Sequence, residues 1–254
     1  MKLKALGVYG SSLPGFRLTS FLIDNKILID SGSVTSSLSL KEQAKIETIL
    51  LSHTHIDHSL GILLLADNLV GTRKESIKIL STKKVLDSLM IDLLNNRIWP
   101  DFTRISNPGG EPLLRLQAVK EGKKVKIGGY SFSVISVTHS VPTVGFFIGD
   151  GKSTLVYTAD TKHTSKIWQR AKKIKNVKAV IIETSFPNAL QRLADISGHL
   201  TPQSLAREIE YSGLQVPFYV YHIKPKFLNQ VKKEIAGLKH PLIKFLKDGG
   251  SYRL

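Results

Sequence analysis

Ile49-Leu50-Leu51-Ser52-His53-Thr54-His55-Ile56-Asp57-His58-Ser59 is the stretch on which the reading of this chain turns. Four metal-capable side chains stand within six residues, in the pattern His-x-His-x-Asp-His. The apolar run of Ile46, Ile49, Leu50 and Leu51 before it reads as the end of a buried strand. Ser59 to Ala66 after it reads as a helix, so the motif lies on a strand-to-helix loop. In an extended loop His53 and His55 share a face, because alternate residues do. Asp57 and His58 sit near the helix start and aim at a second point nearby. Imidazole with carboxylate suits zinc, manganese or iron, and without thiolate the set is not a structural zinc finger.

The wider composition fits this chemistry. The chain has 254 residues and no cysteine, which excludes a disulfide framework. Its 42% hydrophobic and 22% charged content is that of a globular protein. No apolar run approaches the length of a membrane span, no membrane partner is expected, and the N-terminus does not read as a signal peptide. A cytoplasmic location is the default expectation. Net charge is +16, with basic residues gathered at Lys120 to Lys126, Arg170 to Lys178 and Lys224 to Lys247. These runs read either as a solvated surface or as an attraction for phosphate, in a nucleotide or a nucleic acid. They lack the interleaved aromatics of a base-stacking platform.

Along the chain, Lys4 to Ser12, Arg17 to Asp24 and Lys26 to Asp30 read as strands, with Asp30 capping a turn. Leu38 to Ala44 reads as a short helix, Ile77 to Leu80 as a strand, and Lys83 to Asn95 as a helix whose leucines form a core stripe. Trp99 to Pro112 is irregular, suited to a connector, a lid or a homodimer contact. Hairpins over Lys123 to Thr138 and Val144 to Tyr157 deliver His139 and Asp160; Asp150 is a turn residue. Val177 to Ile182 is a buried strand with Glu183 at its end. Thr201 and Pro202 open a helix that stops at Gly213, which puts His199 just ahead of a helix start. Val216 to Tyr221 is the last long strand and ends in His222. Pro225 to Ala236 is the last helix.

The motif, followed by His139, Asp160 and His222 at strand ends, resembles the metallo-β-lactamase-fold hydrolases. The resemblance runs from Asp30 to His222, and it offers for Asp30 a second reading, support of the metal loop. It implies an α/β fold, a four-layer αβ/βα metallo-β-lactamase-type sandwich, over a single domain, residues 1–254. It also implies two divalent metal ions, zinc foremost with manganese or iron as alternatives. His53, His55 and His139 would hold one ion, Asp57, His58 and His222 the other, and Asp160 would bridge them. Glu183-Thr184-Ser185-Phe186-Pro187-Asn188 and Gly198-His199-Leu200-Thr201-Pro202 are similar to motifs of class II 3′,5′-cyclic-nucleotide phosphodiesterases. Ile56, Ser59 and Ala66-Asp67 depart from the first motif of that family. By layout the chain is also similar to ribonuclease Z, though without its His-Ser-Thr sequence at His199.

The resemblance implies hydrolysis of cyclic AMP or cyclic GMP to the 5′-monophosphate by a hydroxide that bridges the two ions, whose water has its pKa lowered towards ~7. Asp57 is counted with the catalytic set as well as with the ligands. His199 would protonate the leaving oxygen and Glu183 would orient it, unless Glu183 is only a strand-end carboxylate. The expected partner is a small anionic nucleotide, with a tRNA 3′ end or other nucleic acid as the alternative. His163 and His240 match no family position and read as surface residues.

Overall fold

The apolar runs sort into two seven-stranded sheets in a computed structural model that describes residues 1–254. The strands are β1 (Lys2–Gly7), β2 (Ser20–Ile23), β3 (Ile27–Ile29), β4 (Thr48–Leu50), β5 (Ile77–Ser81), β6 (Leu114–Ala118), β7 (Val125–Ile127), β8 (Tyr130–Ser136), β9 (Val144–Gly149), β10 (Thr154–Tyr157), β11 (Val177–Glu183), β12 (Phe218–Tyr221), β13 (Ile243–Phe245) and β14 (Ser251–Arg253). One sheet is ordered β14-β1-β2-β3-β4-β5-β6 and the other β13-β12-β11-β10-β9-β8-β7. The helices are α1 (Val34–Ser37), α2 (Leu40–Gln43), α3 (Ile56–Leu69), α4 (Lys83–Ser88), α5 (Ser165–Ala171), α6 (Gln191–Ser197), α7 (Pro202–Ser212) and α8 (Leu228–Gly237).

Three apolar clusters define the layers. Phe21, Ile29, Leu50, Phe132, Phe146, Tyr157 and Tyr221 fill the space between the sheets. Val34, Ile62, Leu65, Val85 and Leu86 close α1, α3 and α4 on the outer face of the first sheet. Trp168, Leu205, Ile209, Val231 and Ile235 do the same for α5, α7 and α8 on the second. Central strands are therefore buried on both faces, which is why Ile27-Leu28-Ile29 and Val180-Ile181-Ile182 are unbroken apolar runs. This is the αβ/βα metallo-β-lactamase sandwich that the motif implied.

The strand directions position the site. β3 to β6 are mutually parallel, as are β10, β11 and β12. The carboxyl ends of β3, β4, β8, β10, β11 and β12 carry Asp30, the motif, His139, Asp160, Glu183 and His222. Three of these exits turn through left-handed backbone at residues other than glycine: Asp30 (φ 50°), Ala159 (φ 56°) and His222 (φ 68°).

Some boundaries differ from the sequence reading. The first strand stops at Gly7, where the backbone passes so close to residue 18 that a Cβ would lie 1.9 Å from Leu18 O. The helix expected over Lys83 to Asn95 becomes α4 followed by a π-helical turn, Leu89–Leu93. Trp99 to Pro112 is irregular but docked: the Trp99 indole N–H donates to Leu63 O at 3.1 Å, and Phe102 is buried. No helix is long and apolar enough to cross a membrane.

Candidate metal centre

At the carboxyl edge of the sandwich, seven side chains converge: His53 and His55 from the loop after β4, Asp57 and His58 from the first turn of α3, and His139, Asp160 and His222 after β8, β10 and β12. His53, His55 and His139 form one donor group, and Asp57, His58 and His222 another, the donor atoms of each lying within 4.8 Å of one another. Asp160 stands between them. Its Oδ2 lies 3.8 Å from His53 Nε2, 3.3 Å from His58 Nε2 and 3.1 Å from His222 Nε2.

Ring orientation follows from what engages the Nδ1 atoms. Ser52 Oγ lies 2.9 Å from His53 Nδ1, and Ser185 Oγ 2.9 Å from His222 Nδ1. His58 Nδ1 donates to Asp30 Oδ2 at 2.8 Å, and His139 Nδ1 to Gly198 O at 2.9 Å. All four rings therefore turn Nε2 inward, while His55 presents Nδ1, 3.2 Å from His139 Nε2. Partners of this kind fix tautomer and orientation in metal-binding histidines. Asp30 is itself held by Ser52 N at 2.8 Å, Ser52 Oγ at 2.7 Å and the Tyr157 hydroxyl at 2.6 Å. Of the two readings open for Asp30, support of the loop is the one its contacts match.

The donor set fits a divalent ion. His53 Nε2 is buried with no hydrogen-bond partner. The inward nitrogens of His58 and His222 are 3.2 Å apart, close to the ~3.3 Å separating two imidazole nitrogens on one tetrahedral zinc. Burial holds His53, His139 and His222 below the usual imidazole range, the last two at about 4, so they are neutral as ligands must be. Burial works against charge on Asp160 and Asp57, but the facing histidines outweigh it and hold both carboxyls low. At His58 burial is likewise outweighed, here by Asp160, Asp57 and Asp30, which raise its pKa well above the ordinary value. Three carboxylates thus favour a cation at this spot.

His199 adjoins the cluster. Its ring stacks on His222 with centroids 5.3 Å apart, and its Nδ1 is 2.9 Å from Glu183 Oε1. Its donor atoms also come within ligand reach of His139 and Asp160, and of Glu183 and His222. Glu183 is fully buried and further held by Leu200 N at 3.1 Å and Ser185 Oγ at 3.0 Å. Burial lowers the His199 pKa, but Glu183 outweighs it and the net shift is upward. His199 also lines a 360 Å³ pocket in which Lys162 and Arg207 stand with Asp195, Glu208 and Tyr211. His163 is exposed, tied to the buried Glu208, and lines the same pocket.

Residues to which the sequence assigned no role complete the centre. Gly10 packs so closely on His222 that a Cβ would lie 2.5 Å from its Cε1. Gly198, at φ 75°, would place a Cβ 2.8 Å from His139 Nδ1. Ser52 carries no signal beyond adjacency to the metal motif, and Ser185 none beyond its place in the Glu183 to Asn188 motif.

A family profile described as a beta-lactamase superfamily domain matches residues 25–223. The chain is 27% identical over 277 residues to a probable 3′,5′-cyclic-nucleotide phosphodiesterase of Yersinia pestis, with 88% of this chain and 78% of that protein covered. Among solved structures it is similar to unliganded yeast PDE1 (TM-score 0.81, 16% identity, 98% of each chain). It is also similar to human tRNase Z, short form (TM-score 0.73, 15% identity, 100% of this chain and 99% of that one). At these identities the structural likenesses speak to the fold alone.

Proposed function

Because this chain belongs to the beta-lactamase superfamily, whose metallo-β-lactamase fold implies divalent-metal binding, we propose that it is a phosphodiesterase that opens the 3′,5′-cyclic phosphate of cyclic AMP or cyclic GMP to the 5′-monophosphate. His53, His55 and His139 would hold one divalent ion and Asp57, His58 and His222 a second, with Asp160 shared. Zinc is the first choice for this donor set, with manganese or iron as alternatives. Such a pair supplies a water of lowered pKa and neutralises charge gathering on the phosphoryl oxygens.

The chain's own residues do the rest. The Nδ1 partners Ser52, Asp30, Gly198 and Ser185 keep the imidazoles aimed before substrate arrives. Lys162 and Arg207 share the pocket that His199 lines with Asp195 and Glu208, and are the cations that would meet the phosphate of a substrate there. His199 holds a proton because Glu183 faces its Nδ1, and it gives a proton to the leaving 3′ oxygen. Glu183 keeps that ring in place. The observation that carries the reading is this pairing: a carboxylate-held histidine that touches both the donor cluster and the open pocket. The name of the Yersinia relative supports the cyclic-nucleotide substrate. The second reading, cleavage of a tRNA 3′ end or other nucleic acid, is favoured by the net charge of +16.

One assay separates the two. Protein with zinc or manganese is offered cyclic AMP, cyclic GMP, a linear dinucleotide and a precursor tRNA. The expected outcome is conversion of a cyclic nucleotide to its 5′-monophosphate with weak salt dependence. Cleavage of the precursor alone, with the steep salt dependence of many phosphate contacts, would transfer the reading to the nuclease. In the same assay His199→Ala should keep its metal and lose ~10²–10⁴ in turnover of the cyclic nucleotide, the scale of a lost general acid. Its loss on a nitrophenyl ester, whose leaving group needs no proton, should be much smaller.

A further inference from the structure

Two of the basic runs, Lys120 to Lys126 and Arg170 to Lys178, take no part in the metal centre, yet the fold brings them to one cavity. It opens on the helix side of the second sheet. Its walls are Ser131 and Ser133 from the start of β8, Gly149 from the end of β9, Thr154 from the start of β10, Arg170 from α5, and Asn176. Lys124 stands at its rim. Ser133 in its wall stands six residues before His139, about 20 Å of extended chain from the metal centre.

The lining is one-sided. No carboxylate contributes to it. Arg170 Nε is buried with no acceptor in the chain, an arrangement that is costly for an ionised donor. Asn176 Oδ1 accepts from the Thr154 hydroxyl at 3.1 Å, which leaves the amide N–H groups as donors. Glycine at 149 keeps the floor open: a Cβ there would lie 2.9 Å from Ser131 Oγ and 3.6 Å from Thr154 Oγ1. A guanidinium, an amide and the two serine hydroxyls around one space match a tetrahedral oxyanion, which offers acceptors in every direction. The cavity is about 190 Å³, below the ~300 Å³ at which pockets for larger ligands begin. A contiguous 480 Å³ groove shares Lys124, Ser131 and Gly149 and adds Lys126, with room for whatever the oxyanion is attached to.

We propose that this cavity is a phosphate site, remote from the metal centre, that takes a phosphate dianion, free or as the terminal group of a small phosphomonoester. The inference does not depend on the activity assigned to the metal centre.

The test is calorimetric titration of the metal-loaded protein with sodium phosphate and, separately, with a 5′-mononucleotide, at constant ionic strength. Wild type and Arg170→Gln share the same metal centre, so their difference isolates the cavity. The wild-type phosphate isotherm should contain a site that Arg170→Gln weakens at least tenfold. Gly149→Ala, which keeps the cation but fills the floor, should weaken the same site, and melting temperatures without phosphate establish that each variant is folded. Nucleotide binding at that site would identify a phosphomonoester as ligand; binding of inorganic phosphate alone would identify the free ion. If Arg170→Gln does not fold, Gly149→Ala and Ser131→Ala carry the comparison. Isotherms unchanged by the folded variants, or a wild-type isotherm with no site beyond the metal centre, overturn the proposal.

Discussion

At the scale of single residues, the centre depends on how its imidazoles are held as much as on their presence. His222 illustrates this. Its backbone is left-handed (φ 68°), Ser185 lies against its Nδ1, and Gly10 presses on its ring. A methyl group at Gly10 would meet both the ring and His222 O, the latter at 2.8 Å, so there is no direction in which the histidine can simply retreat. Gly10→Ala should therefore lower metal affinity by ~10–100-fold, the usual penalty for disturbing the support of a ligand, while the protein remains folded. Competition against a chromophoric chelator measures this. Undiminished affinity would show that the ring gives way without cost. The donor residues were legible in the sequence because histidine and aspartate at strand ends are chemically conspicuous. Gly10 was not: nothing near it in sequence announces a contact with residue 222, and a glycine's importance there lies in an atom it lacks.

At the scale of elements, α3 carries the motif into the fold. The sequence suggested a helix over Ser59 to Ala66, yet it begins at Ile56, with His55 in the N-cap position, so Asp57 and His58 are already helical. Periodicity marks the middle of a helix well and its first turn poorly, since that turn faces the metal site and not an apolar core. Gly61 lets α3 approach the turn after Asp30: a Cβ there would lie 1.7 Å from Ser31 O. Two effects oppose each other in Gly61→Ala. Helix propensity favours alanine by ~1 kcal/mol, whereas overpacking against backbone costs ~1–3 kcal/mol or more. Because the obstructing atom is a carbonyl oxygen and not a flexible side chain, packing should win and the variant should be less stable. A lowered urea midpoint with unchanged slope is the expected outcome; a raised midpoint would mean that α3 has slack. β6 escaped the sequence reading for a related reason. Its burial is only partial and irregular, and it follows an irregular stretch, so neither alternation nor a solid apolar run marked it. β13 and β14 are short and lie in a basic tail, where charge masked them.

At the scale of the molecule, the layered fold was legible because its inner strands are buried on two sides and read as solid apolar segments, and because one motif tied them to a family. How the two sheets meet was not, since that is a matter of long-range register. The donors divide between the sheets: four follow β4 in the first, and three follow β8, β10 and β12 in the second. An ion held by both sets joins the halves of the sandwich. Mass action then links metal to stability, by about 4 kcal/mol when free metal is a thousandfold above its dissociation constant. Chelation should lower the melting temperature, and returned metal should restore it; a melting point indifferent to metal would mean that the ions do not bridge the layers. The same division has a consequence in time. The seven donors are assembled only when both sheets have docked; if that docking follows the transition state, an ion among them should leave the folding rate nearly untouched and chiefly lengthen the lifetime of the native state. In this sense the centre is a clasp: opened, it lets the two layers part sooner, long before any equilibrium measurement need register a loss of structure.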